Sequence, residues 1–192
     1  MDDLVKAALK KWPNVPHCHG WLALDARGDW YMRDDRTQAA GPFPLVKGSR
    51  ITHAKLLAFI LRNYACDAAG AWFFQNGPQR VYVQLEATPF VWRVADDGSV
   101  SVQNADLLRE GGALGAEAPA LCGPVPVLSS WLDEPGHLYL HTPFGLGLVH
   151  TQDMGAAADA IERGLWTPQP VAADELPGRF GFQRQPQAPS QA

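Results

Sequence analysis

The period of the apolar positions changes along the chain, and each change marks an element. Leu4, Val5, Ala8 and Leu9 recur at three- and four-residue spacing behind Asp2 and Asp3. Pro13 follows Trp12, so the pattern predicts a short amphipathic helix that stops there. Alternation replaces it in Trp21-Leu22-Ala23-Leu24 and Asp29-Trp30-Tyr31-Met32. These two strands flank Asp25-Ala26-Arg27-Gly28, where Gly28 can take the positive φ of a tight turn. A loop over 34–48, punctuated by Gly41, Pro42, Pro44 and Gly48, leads to the strongest helical pattern of the chain. That helix is expected over 52–64, capped by Ser49 or Thr52, with Leu56, Leu57, Ile60, Leu61 and Tyr64 on one buried face.

Four short runs rich in Val, Trp, Phe and Tyr follow at 71–75, 80–86, 90–95 and 99–102. Asn76-Gly77-Pro78, Ala87-Thr88-Pro89 and Asp96-Asp97-Gly98 separate them, and the pattern predicts one antiparallel meander. If Ala87-Thr88 is a two-residue turn, Leu85 faces Phe90, Val83 faces Trp92 and Val81 faces Val94. Trp72 and Phe74 extend that apolar face. Strands resume at 127–132, 137–141 and 146–150, and a last helix is expected from Asp153 to Gly164. The fold class is therefore α+β, made of antiparallel β-hairpins and a meander with a packed helix, and two similar small modules remain an option. The division expected is an N-terminal α+β module over 1–104, a Gly/Pro-rich linker over 105–126 and a β-hairpin plus helix module over 127–182. A disordered Gln/Pro-rich tail is expected over 183–192.

Two echoes bear on the two-module option. Asp-x-x-Gly followed by aromatic or aliphatic residues occurs at Asp25/Gly28, Asp67/Gly70 and Asp133/Gly136. A Tyr-bearing strand running into Thr-Pro-Phe occurs from Tyr82 to Thr88-Pro89-Phe90 and from Tyr139 to Thr142-Pro143-Phe144. The unequal spacings exclude a solenoid. Reuse of one turn chemistry and duplication of an α+β unit both fit.

Composition narrows the partners. The 192 residues carry a formal net charge of −4, and the scattered Lys and Arg form no basic patch, so nucleic acid is not an expected partner. No apolar run approaches a membrane span, and the acidic start lacks the basic, then apolar, order of a signal peptide. Three cysteines, odd in number and far apart, suit a reducing compartment, so a cytoplasmic location is expected.

The chemical motifs are sparse. His17-Cys18-His19 offers imidazole and thiolate, the ligands zinc and copper prefer, or a thiol beside a His base. It supplies two or three ligands at most, and adjacent residues of an extended chain point opposite ways; the plainer reading is a His-rich turn into the first strand. Lys47-Gly48-Ser49 has the wrong order for a phosphate loop, and Gly145-Leu146-Gly147 meets His150 where the dinucleotide fingerprint needs Gly or Ala. No cofactor is expected. The outward face of the meander carries Gln75, Arg80, Tyr82, Gln84 and, in the register above, Arg93 opposite Tyr82. Two guanidinium groups beside an aromatic ring suit an anionic small molecule with a flat or apolar part.

The strings Lys11-Trp12-Pro13-Asn14-Val15-Pro16, Asp25 to Asp34, Trp72 to Val83, Gly147 to Thr151 and Ile161 to Trp166 resemble a bacterial, proteobacterial-type family of unknown function. More distantly the chain is similar to other unknown-function families with repeated α+β motifs, for which ligand-binding or signalling roles have been guessed. The resemblance implies a shared fold and no catalytic residue. Three functions stay open: a non-enzymatic small-ligand-binding or regulatory module, a metal- or thiol-dependent enzyme using His17, Cys18 and His19, and a structural protein acting as a homodimer.

Overall fold

The computed structural model describes residues 1–110, 121 and 123–188, and it is a mixed α+β structure with two six-stranded sheets. After helix α1 (Asp3–Lys11), strands β1 (Cys18–Leu24) and β2 (Trp30–Met32) form the expected hairpin. Helix α2 (Asp35–Ala40), strand β3 (Ser49–Arg50) and helix α3 (Ala54–Arg62) follow, then β4 (Tyr64–Cys66), β5 (Trp72–Asn76) and β6 (Gln79–Leu85). The second sheet takes β7 (Phe90–Val94), β8 (Val100–Val102), β9 (Ser129–Leu132), β10 (Leu138–Thr142), β11 (Gly145–Val149) and β12 (Gln169–Pro170). Helix α4 (Ala105–Glu110) follows β8, α5 (Met154–Glu162) follows β11, and α6 (Leu176–Phe180) follows β12.

The expected meander over 71–102 is two pieces of different sheets. Strand β6 pairs with β5 on one edge and with β1, in parallel, on the other, so it has no edge left for β7. Strand β7 pairs with β8 and, again in parallel, with β11. The Leu85–Phe90, Val83–Trp92 and Val81–Val94 register therefore does not exist. Both strands still point apolar residues inward, because Val83, Leu85, Phe90, Trp92 and Val94 belong to one core shared by the sheets. Alternation fixes which face is buried and cannot tell a neighbour in the same sheet from a facing strand. Between the sheets, the Thr88 hydroxyl donates to the Phe90 carbonyl and accepts from the Leu148 amide, which anchors the crossing. The two sheets thus divide the chain between Leu85 and Phe90, ahead of the 105–126 boundary expected from Gly and Pro content. Within that segment Ala105–Glu110 is helical, and 111–120 and Cys122 lie outside the described residues.

Each sheet has the same connectivity. A hairpin (β1–β2 or β7–β8) is followed by a helix and a three-stranded meander (β4–β5–β6 or β9–β10–β11). The last strand then inserts beside the first. Strand β3 extends one sheet beyond β2, and β12 extends the other beyond β9. The Asp-x-x-Gly echo is structural. At 25–29, 67–71 and 133–137 the first residue exchanges backbone bonds across the turn, and its carboxylate accepts amides inside it. The same turn recurs at 95–99 with Ala95 in the Asp place. The Thr-Pro-Phe echo is not structural, since 88–90 joins the sheets and 142–144 lies in the β10–β11 turn.

Helix α3 is shorter than expected, is capped by the His53 side chain, and turns Ala58 and Ile60 inward; Leu57 and Leu61 are half-buried. Tyr64 lies in β4, its ring against Trp72 and Phe90, and its hydroxyl donates to the Pro89 carbonyl. Trp92 is fully buried, stacks on Phe90 and donates its indole N–H to the Leu140 carbonyl at 3.0 Å. Any Cβ at Gly147 would collide with that indole.

The first residues of the Gln/Pro-rich tail, Gln183 to Gln185, dock on the body. The Gln183 amide donates to the Gly70 carbonyl, the Leu85 amide donates to the Arg184 carbonyl, and the Arg184 guanidinium reaches the Ala87 and Ala173 carbonyls. Polar composition hid this because the docking uses backbone groups rather than apolar area. Residues 189–192 lie outside the described residues.

Two outcomes check this packing. Gly147→Ala should lower the free energy of unfolding by about 1–3 kcal/mol, the usual cost of overpacking a core; an unchanged denaturant midpoint would place Trp92 elsewhere. Truncation after Phe182 should cost on the order of 1–3 kcal/mol, because it leaves the Leu85 amide without its acceptor. A tail that only dangles would leave the melting temperature unmoved.

Candidate functional site

The sequence-derived face divides when the strands are placed. Cross-strand pairs Gln75–Arg80 and Phe73–Tyr82 do put Gln75, Arg80 and Tyr82 together on the first sheet. Each is already engaged. The Gln75 amide is buried and donates to the Gly77 carbonyl, and the Arg80 guanidinium sits 4.4 Å from the Phe73 ring centroid. Tyr82 is buried, donates to Asp67 Oδ2 at 3.0 Å, and is covered by the His19 ring stacked at 4.5 Å. Gln84 accepts from the Arg33 Nη1 at 2.5 Å and donates to the Gln185 side chain. Arg93 is in the other sheet, in a two-pronged ion pair with Asp153 at 2.5 and 2.8 Å. The Tyr82–Arg93 pairing is therefore not formed, for the same reason that β6 and β7 are not neighbours.

His17, Cys18 and His19 part as strand alternation demands. His17 and His19 lie against Tyr82, and burial followed by the His17 charge holds the His19 imidazole below its ordinary pKa. Cys18 pairs with Val81 and lines the opposite, apolar side. Among the described residues no group of three His, Cys, Asp or Glu side chains converges as a metal set would. Cys66 borders a cavity of about 500 Å³ with Arg62, Tyr64, Trp72 and Phe144. Burial, then the Asp67 charge, pushes its thiol up to about 11, so only a small fraction is thiolate near neutral pH and it reacts slowly.

A polar cleft of about 310 Å³ opens where the two sheets meet. The 25–29 turn supplies Arg27 and Asp29, β3 supplies Arg50, and Gln103 follows β8. His150, Thr151 and Gln152 come from the β11–α5 junction. The close approach depends on Gly28, at φ +80°, because a Cβ there would press on the Gln103 and Val91 side chains. Asp25 holds the turn. Burial opposes its charge, but Lys47 and the amides of Asp29 and Arg27 outweigh it and keep the carboxyl below its ordinary pKa. Lys47 also reaches Glu86 at 3.1 Å, which ties the turn to the end of β6.

The cleft is rich in donors. Arg27 is exposed, and its guanidinium makes no hydrogen bond or ion pair with the described residues. Arg50 spends one nitrogen on Asp29 at 2.6 Å. His150 Nδ1 accepts the Gln152 amide and caps the 3-10 turn at Thr151–Asp153, leaving Nε2 as the ring donor. Asp153, the expected cap of α5, serves Arg93 and the Val94 amide instead. Burial first, then the Arg93 charge, holds the His150 imidazole below its ordinary pKa. Asp29, the one acid lining the cleft among the described residues, is taken by Arg50, so the local balance is positive in a chain of net charge −4. Reading along the chain missed this site because its members lie 27–50 and 103–152, with no shared motif. Arg27, Asp29, His150 and Thr151 do fall inside the strings that carry the family resemblance.

No curated protein matches the chain. Two solved structures resemble it weakly, and both are described as DUF1285 family proteins. One, from Shewanella baltica OS155, has 18% identity and a TM-score of 0.44, covering 72% of this chain and 91% of that one. The other, from Silicibacter pomeroyi DSS-3, has 14% identity and a TM-score of 0.43, covering 83% and 84%. A family model named DUF2944, described as "Protein of unknown function (DUF2946)", matches residues 1–187. With all six helices and twelve strands of the description inside that match, the chain belongs to this family of unknown function.

Proposed function

We propose that the protein is a non-enzymatic small-ligand-binding module of regulatory kind, and that its ligand is a small anion held in the cleft of Arg27, Arg50 and His150. The observation that carries this reading is the unpartnered Arg27 guanidinium beside a second arginine and a free imidazole donor. Guanidinium pairs of this kind hold carboxylates and phosphates through parallel N–H donors. Gln103 and Gln152 add amide groups that can orient the rest of a polar ligand. A regulatory role is supported by the position of the cleft, which draws residues from both sheets, so an occupant binds the arrangement of the two units as well as the groups themselves. We also infer that the two units descend from an internal repeat; the shared connectivity and the four equivalent turns support it. A cytoplasmic setting suits Cys18 and Cys66, which stand as free thiols.

Thermal-shift titration with phosphate, pyrophosphate, sulfate and citrate at millimolar concentration tests the reading. At least one should raise the melting temperature, and a ligand at 100 times its Kd adds about 2.7 kcal/mol. Arg27 and Arg50 are surface side chains, so an Arg27→Ala/Arg50→Ala variant should fold and lose the shift. An equal shift in that variant, or none with any anion, defeats the proposal.

The pH dependence has a definite sign. Burial, then the Arg93 charge, holds the free His150 imidazole below its ordinary pKa, and a bound anion favours the imidazolium and raises it. Sulfate affinity should therefore rise as pH falls from about 8 to about 5.5, because sulfate keeps its charge over this range while His150 gains one. His150→Gln should flatten the profile. A flat profile in the unsubstituted protein would separate His150 from the bound anion.

A further inference from the structure

A second opening differs from the polar cleft in every chemical respect. Helix α3 covers the inner face of the first sheet but leaves a slot of about 300 Å³ at the end where β1 begins. Leu22, Phe74 and Val81 form its floor, Leu56, Phe59 and Ile60 its roof, and Met32 and Ile51 close one side. None of its twelve lining residues carries a carboxylate, an ammonium or a guanidinium group. The mouth holds Trp21, which is 40% exposed, and Met32, which is 48% exposed. Trp21 and Met32 thus leave large apolar surface in water at the rim of an apolar cavity, where an occupant would cover it. The two amides at the mouth differ: Gln79 donates to the Pro16 carbonyl, whereas the Asn76 side chain makes no hydrogen bond with the described residues.

We propose that this slot binds an uncharged amphiphile, an apolar chain or ring bearing a hydroxyl or amide head. Its apolar part replaces water against Leu22, Phe59 and Phe74, and its head meets the free amide of Asn76. The absence of a charged group excludes a fully inserted anion or cation, since a buried charge would stand unpaired. The volume is at the small end of ligand cavities, which selects a short chain or a one- or two-ring compound over a long lipid. Met32, flexible and polarizable, can close over occupants of different shape. The site is separate from the anion cleft in residues and in ligand chemistry, and it does not depend on that reading.

Cys18 lines the slot and reports on it, while Cys66 lies in another cavity and serves as the internal control. The experiment follows alkylation of each cysteine by mass spectrometry in the presence of straight-chain primary alcohols of increasing length, and of the matching carboxylates at pH 8. The expected result is that alcohols slow Cys18 alkylation several-fold and leave Cys66 unchanged. Protection should grow with chain length until the slot is filled and then level off, and carboxylates of equal length should protect far less. Ile51→Lys would place a charge on the slot wall and should abolish protection. Because that variant could misfold, Asn76→Ala is the second arm, run with the same alcohols and with the matching n-alkanes, and it should weaken alcohol protection while leaving alkane protection in place. Unchanged Cys18 reactivity overturns the proposal, as does equal slowing of Cys18 and Cys66. Protection that appears on raising protein concentration alone assigns the slot to a second copy of the chain and overturns it too.

Discussion

A β-strand has two edges, and in this protein the first strand of each sheet gives both of them away. Strand β1 pairs with β2 and β6, and β7 pairs with β8 and β11. The parallel partner in each case is the last strand of the unit's three-stranded meander, so each unit closes back on its own first strand. With β6 enclosed between β1 and β5, the chain has to leave the sheet at Glu86 and begin another at Phe90. Thr88 and Pro89 make that crossing, and the two sheets meet through side chains: Tyr64, Trp72, Phe90 and Trp92 form an aromatic cluster within their common core. Gly28 lets the first sheet's turn approach Gln103 of the second, while Gly147 leaves room for the Trp92 indole within the second sheet.

The cleft follows from the same constraint. Once β1–β2 and β7–β8 belong to different sheets, the turn of the first can lie over the end of the second. Arg27 and Asp29 then come beside Gln103 and His150, although their nearest sequence separation is over seventy residues. The chain is acidic overall, yet these loops gather guanidinium and imidazole groups around one carboxylate that is already paired. Long-range attraction for polyanions is absent under that balance, whereas a local donor set for a small anion is present. Similar logic separates the two openings. The slot under α3 lies on the inner face of one sheet and inherits core residues, while the cleft lies between turns and inherits polar ones.

What could be read from the residues was what depends on neighbours in the chain. The hairpin at 25–28, the helix around Ile60, the three C-terminal strands and the Asp-x-x-Gly turns all carry their own signals, so the α+β class was legible. The pairing of β6 with β1 was not, because Val81, Val83 and Leu85 alternate in the same way whatever lies beside them. That single ambiguity moved Arg93 away from Tyr82 and turned an open face into one occupied by His19, Arg33 and Gln185. The docking of Gln183 and Arg184 was invisible for a different reason: it rests on carbonyls and amides that every residue has. Arg27 carried a faint signal, an arginine at the tip of a rigid turn with no acid left to pair, since Asp25 is committed to the turn's own amides and to Tyr31 and Lys47.

The proposed anion lies in the inter-sheet cleft and not on the Tyr82 face. NMR observation of the histidine ring protons during a sulfate titration addresses it directly, because His150 lines the cleft and His19 covers Tyr82. Sulfate in the cleft should shift the His150 signals saturably toward the imidazolium position and leave the His19 signals unmoved. Saturable shifts at His19 with none at His150 would contradict that placement and return the site to the outer face of the first sheet.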